Sequence, residues 1–88
     1  MTAEQNGHWC IFYCKRDEPK NWHTMRLWRA DGVLVSAKTF DEVYKFNKFK
    51  EAFDFAKNLI NEEPKPRYDA QVKRVCRRGS EGFYLSHN

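Results

Sequence analysis

KFKEAFDFAKNLINEE, residues 48–63, carries a helical period in a chain whose other apolar runs are short and strand-like. Phe49, Ala52, Phe53, Ala56, Leu59 and Ile60 fall on one stripe about 120° wide, while Lys50, Glu51, Asp54, Lys57, Asn58 and Asn61 face away. Asn47 is the expected N-cap, and Pro64 and Pro66 stop the helix because proline lacks the donor and the room to continue it. A single amphipathic helix must bury its stripe on something, and the flanking sequence supplies strands.

Upstream, HWCIFYCKR (8–16) is rich in aromatic and β-branched residues. Cys10, Phe12 and Cys14 alternate with Trp9, Ile11 and Tyr13, so both faces are apolar. That pattern suits a central strand, or one whose second face is covered. DEPKN (17–21) is a turn. NWHTMRLWRA (21–30) then leads through Asp31-Gly32 into VLVSAKTF (33–40). Asp-Gly between such runs predicts a two-residue type I′ hairpin, which would set Trp28 opposite Val35, Leu27 opposite Ser36 and Arg26 opposite Ala37. DEVYKF (41–46) fits either a short strand or, through the capping-box spacing Thr39-x-x-Glu42, a helical turn; the short strand is preferred.

Downstream, residues 68–77 read as a strand, and Gly79-Ser80-Glu81-Gly82 turns the chain into Phe83-Tyr84-Leu85. The sum is an α+β domain over 8–88: an antiparallel sheet of five or six short strands with one helix, about 48–62, packed on one face. Residues 1–7 are polar and expected to be frayed. No apolar run approaches the roughly 20 residues that span a bilayer, and the first residues lack the features of a signal peptide, so a cytoplasmic chain is expected. Three cysteines, an odd number, agree with a reducing compartment.

The residues that could carry chemistry are poorly arranged for it. His8, Cys10, Cys14, His23 and Cys76 are metal ligands by type. On one strand, however, Cys10 and Cys14 would stand about 13 Å apart, too far for one ion or a disulfide. Buried packing cysteines are expected, with no metal and no cofactor. No oxyanion loop accompanies a cysteine, the carboxylates are scattered over turns and the solvent side of the helix, and the glycines punctuate turns. A non-enzymatic role is expected.

Charge is the stronger signal. Net charge is +4, and between Lys65 and Arg78 six cations (Lys65, Arg67, Lys73, Arg74, Arg77, Arg78) meet one acid, Asp69. The rest of the chain is close to neutral, so the excess lies in fourteen residues, where it would favour an acidic or polyanionic partner. Lys73 and Arg77 should point to one side of their strand and Arg74 and Arg78 to the other. An edge position, or a bulge near 73–75, would spare one pair from burial. Trp22, Trp28, Phe12, Tyr13 and Tyr84, interleaved with Arg26 and Arg29, are compatible with a base-stacking sheet surface or with a protein hot spot. The partner-binding set is therefore the six stripe cations together with Arg26, Trp28 and Arg29.

KEAFDFAKNL (50–59), AQVKRV (70–75) and FYLS (83–86), in that order, resemble the helix, strand and final hairpin of small phage-encoded anti-CRISPR proteins. The similarity spans 49–86, about half the chain, and rests on pattern rather than signature residues. It implies a rigid inhibitor in the host cytoplasm that sterically blocks a host protein or ribonucleoprotein complex handling nucleic acid. The alternative is a nucleic-acid-binding module that places the 65–78 stripe on phosphates.

Overall fold

A computed structural model describes residues 8–86, and the expectation for 1–7 lies outside the described residues. Among these residues the order is β1 (His8–Lys15), β2 (His23–Trp28), β3 (Leu34–Ser36), a 3-10 turn (Phe40–Glu42), α1 (Phe49–Ile60), β4 (Tyr68–Arg78) and β5 (Gly82–Ser86). The strands form one antiparallel sheet in the order β3-β2-β1-β4-β5, with the helix on one face, an α+β fold as its sequence implies.

β1 is the central strand and is buried on both faces. Trp9, Ile11 and Tyr13 face α1, where Ile11, Tyr13, Met25, Leu34 and Tyr68 pack with Ala52, Ala56 and Leu59. Cys10 faces the other way and is covered by Phe40 and Val43, with Val75, Phe83 and Leu85 alongside. The domain thus has three layers: helix, sheet, and the connection between β3 and α1.

That connection corrects the preferred reading of 41–46. It opens as a 3-10 turn, because Thr39 Oγ1 accepts from the Glu42 N–H (3.3 Å) and the Glu42 carboxylate accepts from the Lys38 N–H (2.8 Å). Lys45 Nζ then donates to the carbonyls of Phe40 (2.6 Å) and Val43 (3.0 Å), which winds the segment tighter than a strand. β2 pairs with β1 only at Phe12↔Thr24 and Tyr13↔His23 before diverging. The connection fills the gap: the Tyr44 N–H donates to Met25, and Phe46 and Trp9 exchange hydrogen bonds of 3.0 and 2.7 Å. Phe40 and Val43 therefore serve one core and Phe46 the other.

The β2–β3 hairpin is shifted by one residue from the expected register, with Leu27 opposite Val35 and Trp28 opposite Leu34. The loop has three residues, not two: Arg29 receives from Gly32 (2.9 Å) and donates to Val33 (3.0 Å). Within this loop only Gly32 takes positive φ (+81°), and the Asp31 carboxylate accepts from the Val33 N–H (3.2 Å) instead of Asp31 itself entering the left-handed region. This is the type I turn closed by a left-handed glycine, and its extra residue exchanges the two faces of the hairpin. A register irregularity between Met25 and Leu27 adds to the change.

Two further expectations change. β4 is not an edge strand and has no bulge near 73–75: it pairs continuously with β1 from His8↔Val75 to Lys15↔Tyr68, and with β5 from Arg74 to Arg78. The helix cap is Lys48, extended and without a side-chain cap bond, rather than Asn47. The buried stripe of α1 is Ala52, Ala56 and Leu59, with Phe55 packed against the same core, while Phe49 and Phe53 are each 49% exposed.

Candidate partner-binding surfaces

The cations of residues 65–78 do not form one patch. β4 is one continuous strand of eleven residues in a molecule 43 Å long, so Lys65 and Arg67 stand near one end of it and Arg77 and Arg78 near the other. The two sides of the strand separate them again: Lys73 and Arg77 lie on the face of Cys10 and Phe40, Arg74 and Arg78 on the face of the helix, as alternation requires.

Most of these cations also have partners. The Arg67 guanidinium grips Glu62 through Nε (3.4 Å) and Nη2 (2.8 Å), which holds the Glu62 carboxyl below the usual range. Arg77 reaches Asp41 (3.3 Å) and the Ser80 carbonyl (3.1 Å), and lies 4.4 Å from the Phe40 ring centre. Arg74 lies over Trp9 at 4.8 Å. In the hairpin, Arg26 pairs with Glu42 (3.7 Å) and Arg29 with Asp31 (3.0 Å). Glu42 is held below the usual carboxyl range, first by the Lys38 N–H and further by Arg26.

At the Arg67 end, a cleft of about 800 Å³ is lined by Lys15, Arg16, Asp17, Val33, Lys65 and Arg67, among others. Four cations converge there, but Arg67 is matched by Glu62 and Arg16 by Asp69 (3.2 Å). Arg16 is also spent on structure, donating to the carbonyls of Ile60 (3.2 Å) and Tyr68 (3.3 Å).

The aromatic set is divided as well. Phe12 stacks on Trp22 (5.2 Å) on the face away from the helix, whereas Tyr13 is buried on the helix side and bonded to Ser36 (3.0 Å). Tyr84 stands on β5, half exposed. Trp28 begins a chain of rings on the helix side: Trp28–Phe55 at 5.9 Å, Phe55–Phe46 at 5.7 Å and Phe46–Tyr44 at 4.9 Å. The inner rings are partly buried, while Trp28 is 40% and Tyr44 49% exposed. Arg26, Leu27 and Arg29 are exposed beside Trp28 on the strand and its loop. This ring chain went unread in the sequence because it needs Phe46 in the gap between β1 and β2. The signal for it was the number of apolar residues on α1, which exceeds what one sheet can cover.

The cysteines pack. Burial pushes the Cys10 thiol up to about 12, and burial aided by Asp69 raises Cys14, so both are thiols rather than thiolates at neutral pH. Among the described residues, no three His, Cys, Asp or Glu side chains are placed to share an ion, and no helix is long and apolar enough to cross a membrane. No protein-family model matches the chain, and neither a curated protein nor a solved structure shows significant similarity to it.

Proposed function

We propose that this chain is a non-enzymatic binding protein that acts by occupying a surface of a host protein or ribonucleoprotein involved in handling nucleic acid, as small phage-encoded inhibitors do. The observation that carries this reading is the ring chain from Trp28 to Tyr44, exposed at both ends, with Arg26 and Arg29 exposed close to Trp28 in sequence. Tryptophan, tyrosine and arginine held on a rigid sheet-and-helix frame are the side chains that dominate protein hot spots, since they bury large areas with little ordering cost. Arg26 holds the partly exposed carboxylate of Glu42, and Arg29 the exposed one of Asp31. Such surface pairs are weak, so a partner carboxylate can replace the internal one at small cost.

The rival reading, phosphate binding by the 65–78 stripe, draws support from the cleft of Lys15, Arg16, Lys65 and Arg67. It is weakened by the carboxylates that Arg16 and Arg67 already hold there.

Salt separates the two. Anisotropy with labelled single- and double-stranded DNA and RNA, between about 50 and about 200 mM salt, should give at most weak binding, because few uncompensated cations meet one surface. Affinity capture from a bacterial lysate should retain a protein at the higher salt and lose it with Trp28→Ala. Tight, salt-steep nucleic-acid binding abolished by Lys65→Ala/Arg67→Ala, with no dependence on Trp28, would overturn the proposal.

A further inference from the structure

Three chain segments meet where β1 stops and β4 starts. The Arg16 N–H donates to the Arg67 carbonyl (3.0 Å), which carries the β1–β4 ladder one pair beyond Lys15↔Tyr68. Val33, from the β2–β3 loop, joins these two segments in lining the cleft of about 800 Å³. The fold fixes both arginines of that cleft. Arg16 is held through Nε and Nη2 by the carbonyls of Tyr68 and Ile60 and by Asp69. Arg67 is held through Nε and Nη2 by Glu62, and its guanidinium lies so close to Gly32 that a Cβ there would collide with it.

These contacts leave donors over. Among the described residues, the Nη1 groups of Arg16 and Arg67 meet no acceptor. Lys15 and Lys65 line the same cleft and pair with no carboxylate among those residues. Two fixed guanidinium edges and two ammonium groups are thus brought to one concavity. Against the four cations stand Asp17, also in the lining, and the Glu62 and Asp69 carboxylates that hold the arginines, so the cleft stays positive. Val33 and Pro66 give it an apolar wall, and its volume is that of a small-molecule site.

We infer that this cleft binds a small molecule carrying a diphosphate group. A diphosphate gathers several charges and many acceptor oxygens into one compact group, which can engage both lysines and the free arginine edges at once through charge-assisted hydrogen bonds. Glu62 and Asp69 keep their arginines, so no internal pair has to break. A nucleic-acid backbone spreads its charge along a line instead, and the cations that would have to follow it, Arg77 and Arg78, stand at the far end of β4. The site shares no residue with the Trp28–Tyr44 ring chain and is independent of the partner proposed there.

Calorimetric titration with inorganic pyrophosphate and with ADP, at about 50 mM salt and without divalent ions, tests this. The expected result is one saturable site with Kd of about 1 mM or tighter, and orthophosphate weaker by about tenfold or more. Lys15→Ala/Lys65→Ala, at two exposed positions, should weaken pyrophosphate by about tenfold or more. Asp17→Asn should tighten it severalfold by removing the opposing charge. Arg77→Ala/Arg78→Ala and Trp28→Ala should change nothing. ADP binding tighter than pyrophosphate would assign the wall of Val33 and Pro66 to the body of a diphosphate ester; equal affinities would assign the site to free diphosphate. No saturable binding up to about 10 mM, or binding that Lys15→Ala/Lys65→Ala retains, would overturn the inference. An oligonucleotide that binds through Lys15 and Lys65 more tightly than pyrophosphate would overturn it too, in favour of a nucleic-acid backbone.

Discussion

Arg16 illustrates how one exposed side chain can hold several elements together. Its guanidinium joins the C-terminal turn of α1, the start of β4 and Asp69, segments far apart in sequence. Arg16→Ala should lower stability by about 1–2 kcal/mol in urea unfolding, the combined worth of two partly exposed hydrogen bonds and a weak ion pair. Arg16→Lys should restore less than half, because an ammonium lacks the planar fork. Carboxylates at this scale set the acid limit. Glu62 and Glu42 both titrate below their unfolded value in the native state, held there chiefly by Arg67 and by the Lys38 N–H. Their contribution is therefore complete above the unfolded carboxyl pKa, about 4.3, and is lost as pH falls through the lowered native values. The urea midpoint should drop on acidification below about pH 4.5, and Glu42→Gln/Glu62→Gln should flatten that drop while lowering the neutral plateau.

Among the elements, α1 was legible from its own sequence in position and extent, because apolar period and proline stops are local signals. β1, β4 and β5 were equally legible, from alternation and the glycine turn. The β2–β3 hairpin was not, since Asp-Gly serves both a two-residue loop and the last two positions of a three-residue loop. The choice fell to Asp31, whose carboxylate bonds the Val33 N–H and so leaves Gly32 as the only left-handed residue of the loop. Gly32 and Gly79 share positive φ, +81° and +70°, but differ in surroundings: a Cβ on Gly32 would run into the Arg67 guanidinium, and one on Gly79 would meet nothing. Gly79→Ala should cost about 1 kcal/mol of backbone strain. Gly32→Ala should cost more and should also disturb the Arg67–Glu62 pair, visible as a smaller acid-induced loss of stability. Equal costs at the two sites would show that Arg67 yields freely.

Across the whole molecule, the cover of the second sheet face comes from the connection 37–46, with Phe40 at its centre. Phe40 lies against His8 (5.8 Å), under the Lys45 ammonium (4.4 Å) and under Arg77 (4.4 Å), and it shields Cys10. Phe40→Ala should cost about 3 kcal/mol or more, as large-to-small core changes do. It should also release Cys10 to alkylation at rates far above those of the parent, where the buried thiol is pushed up to about 12 and stays unreactive. Alkylation followed by peptide mass spectrometry reads both proteins; an unchanged Cys10 rate in a folded Phe40→Ala variant would mean that Val43 and Val75 suffice as cover.

By itself the sequence determined the α+β class, the helix, the central double-sided strand and the final hairpin, because each follows from interactions within a few residues. It also located the excess charge, but along the chain and not in space. Only the tertiary structure decided that this charge is spread over both ends and both faces of an interior strand, since strand geometry spaces and alternates side chains that are neighbours in sequence. It likewise decided which rings are exposed. Burial of Phe46, Phe49, Phe53 and Phe55 depends on where the β3–α1 connection crosses the sheet and on how far β5 extends along β4, and both are settled by packing between distant segments.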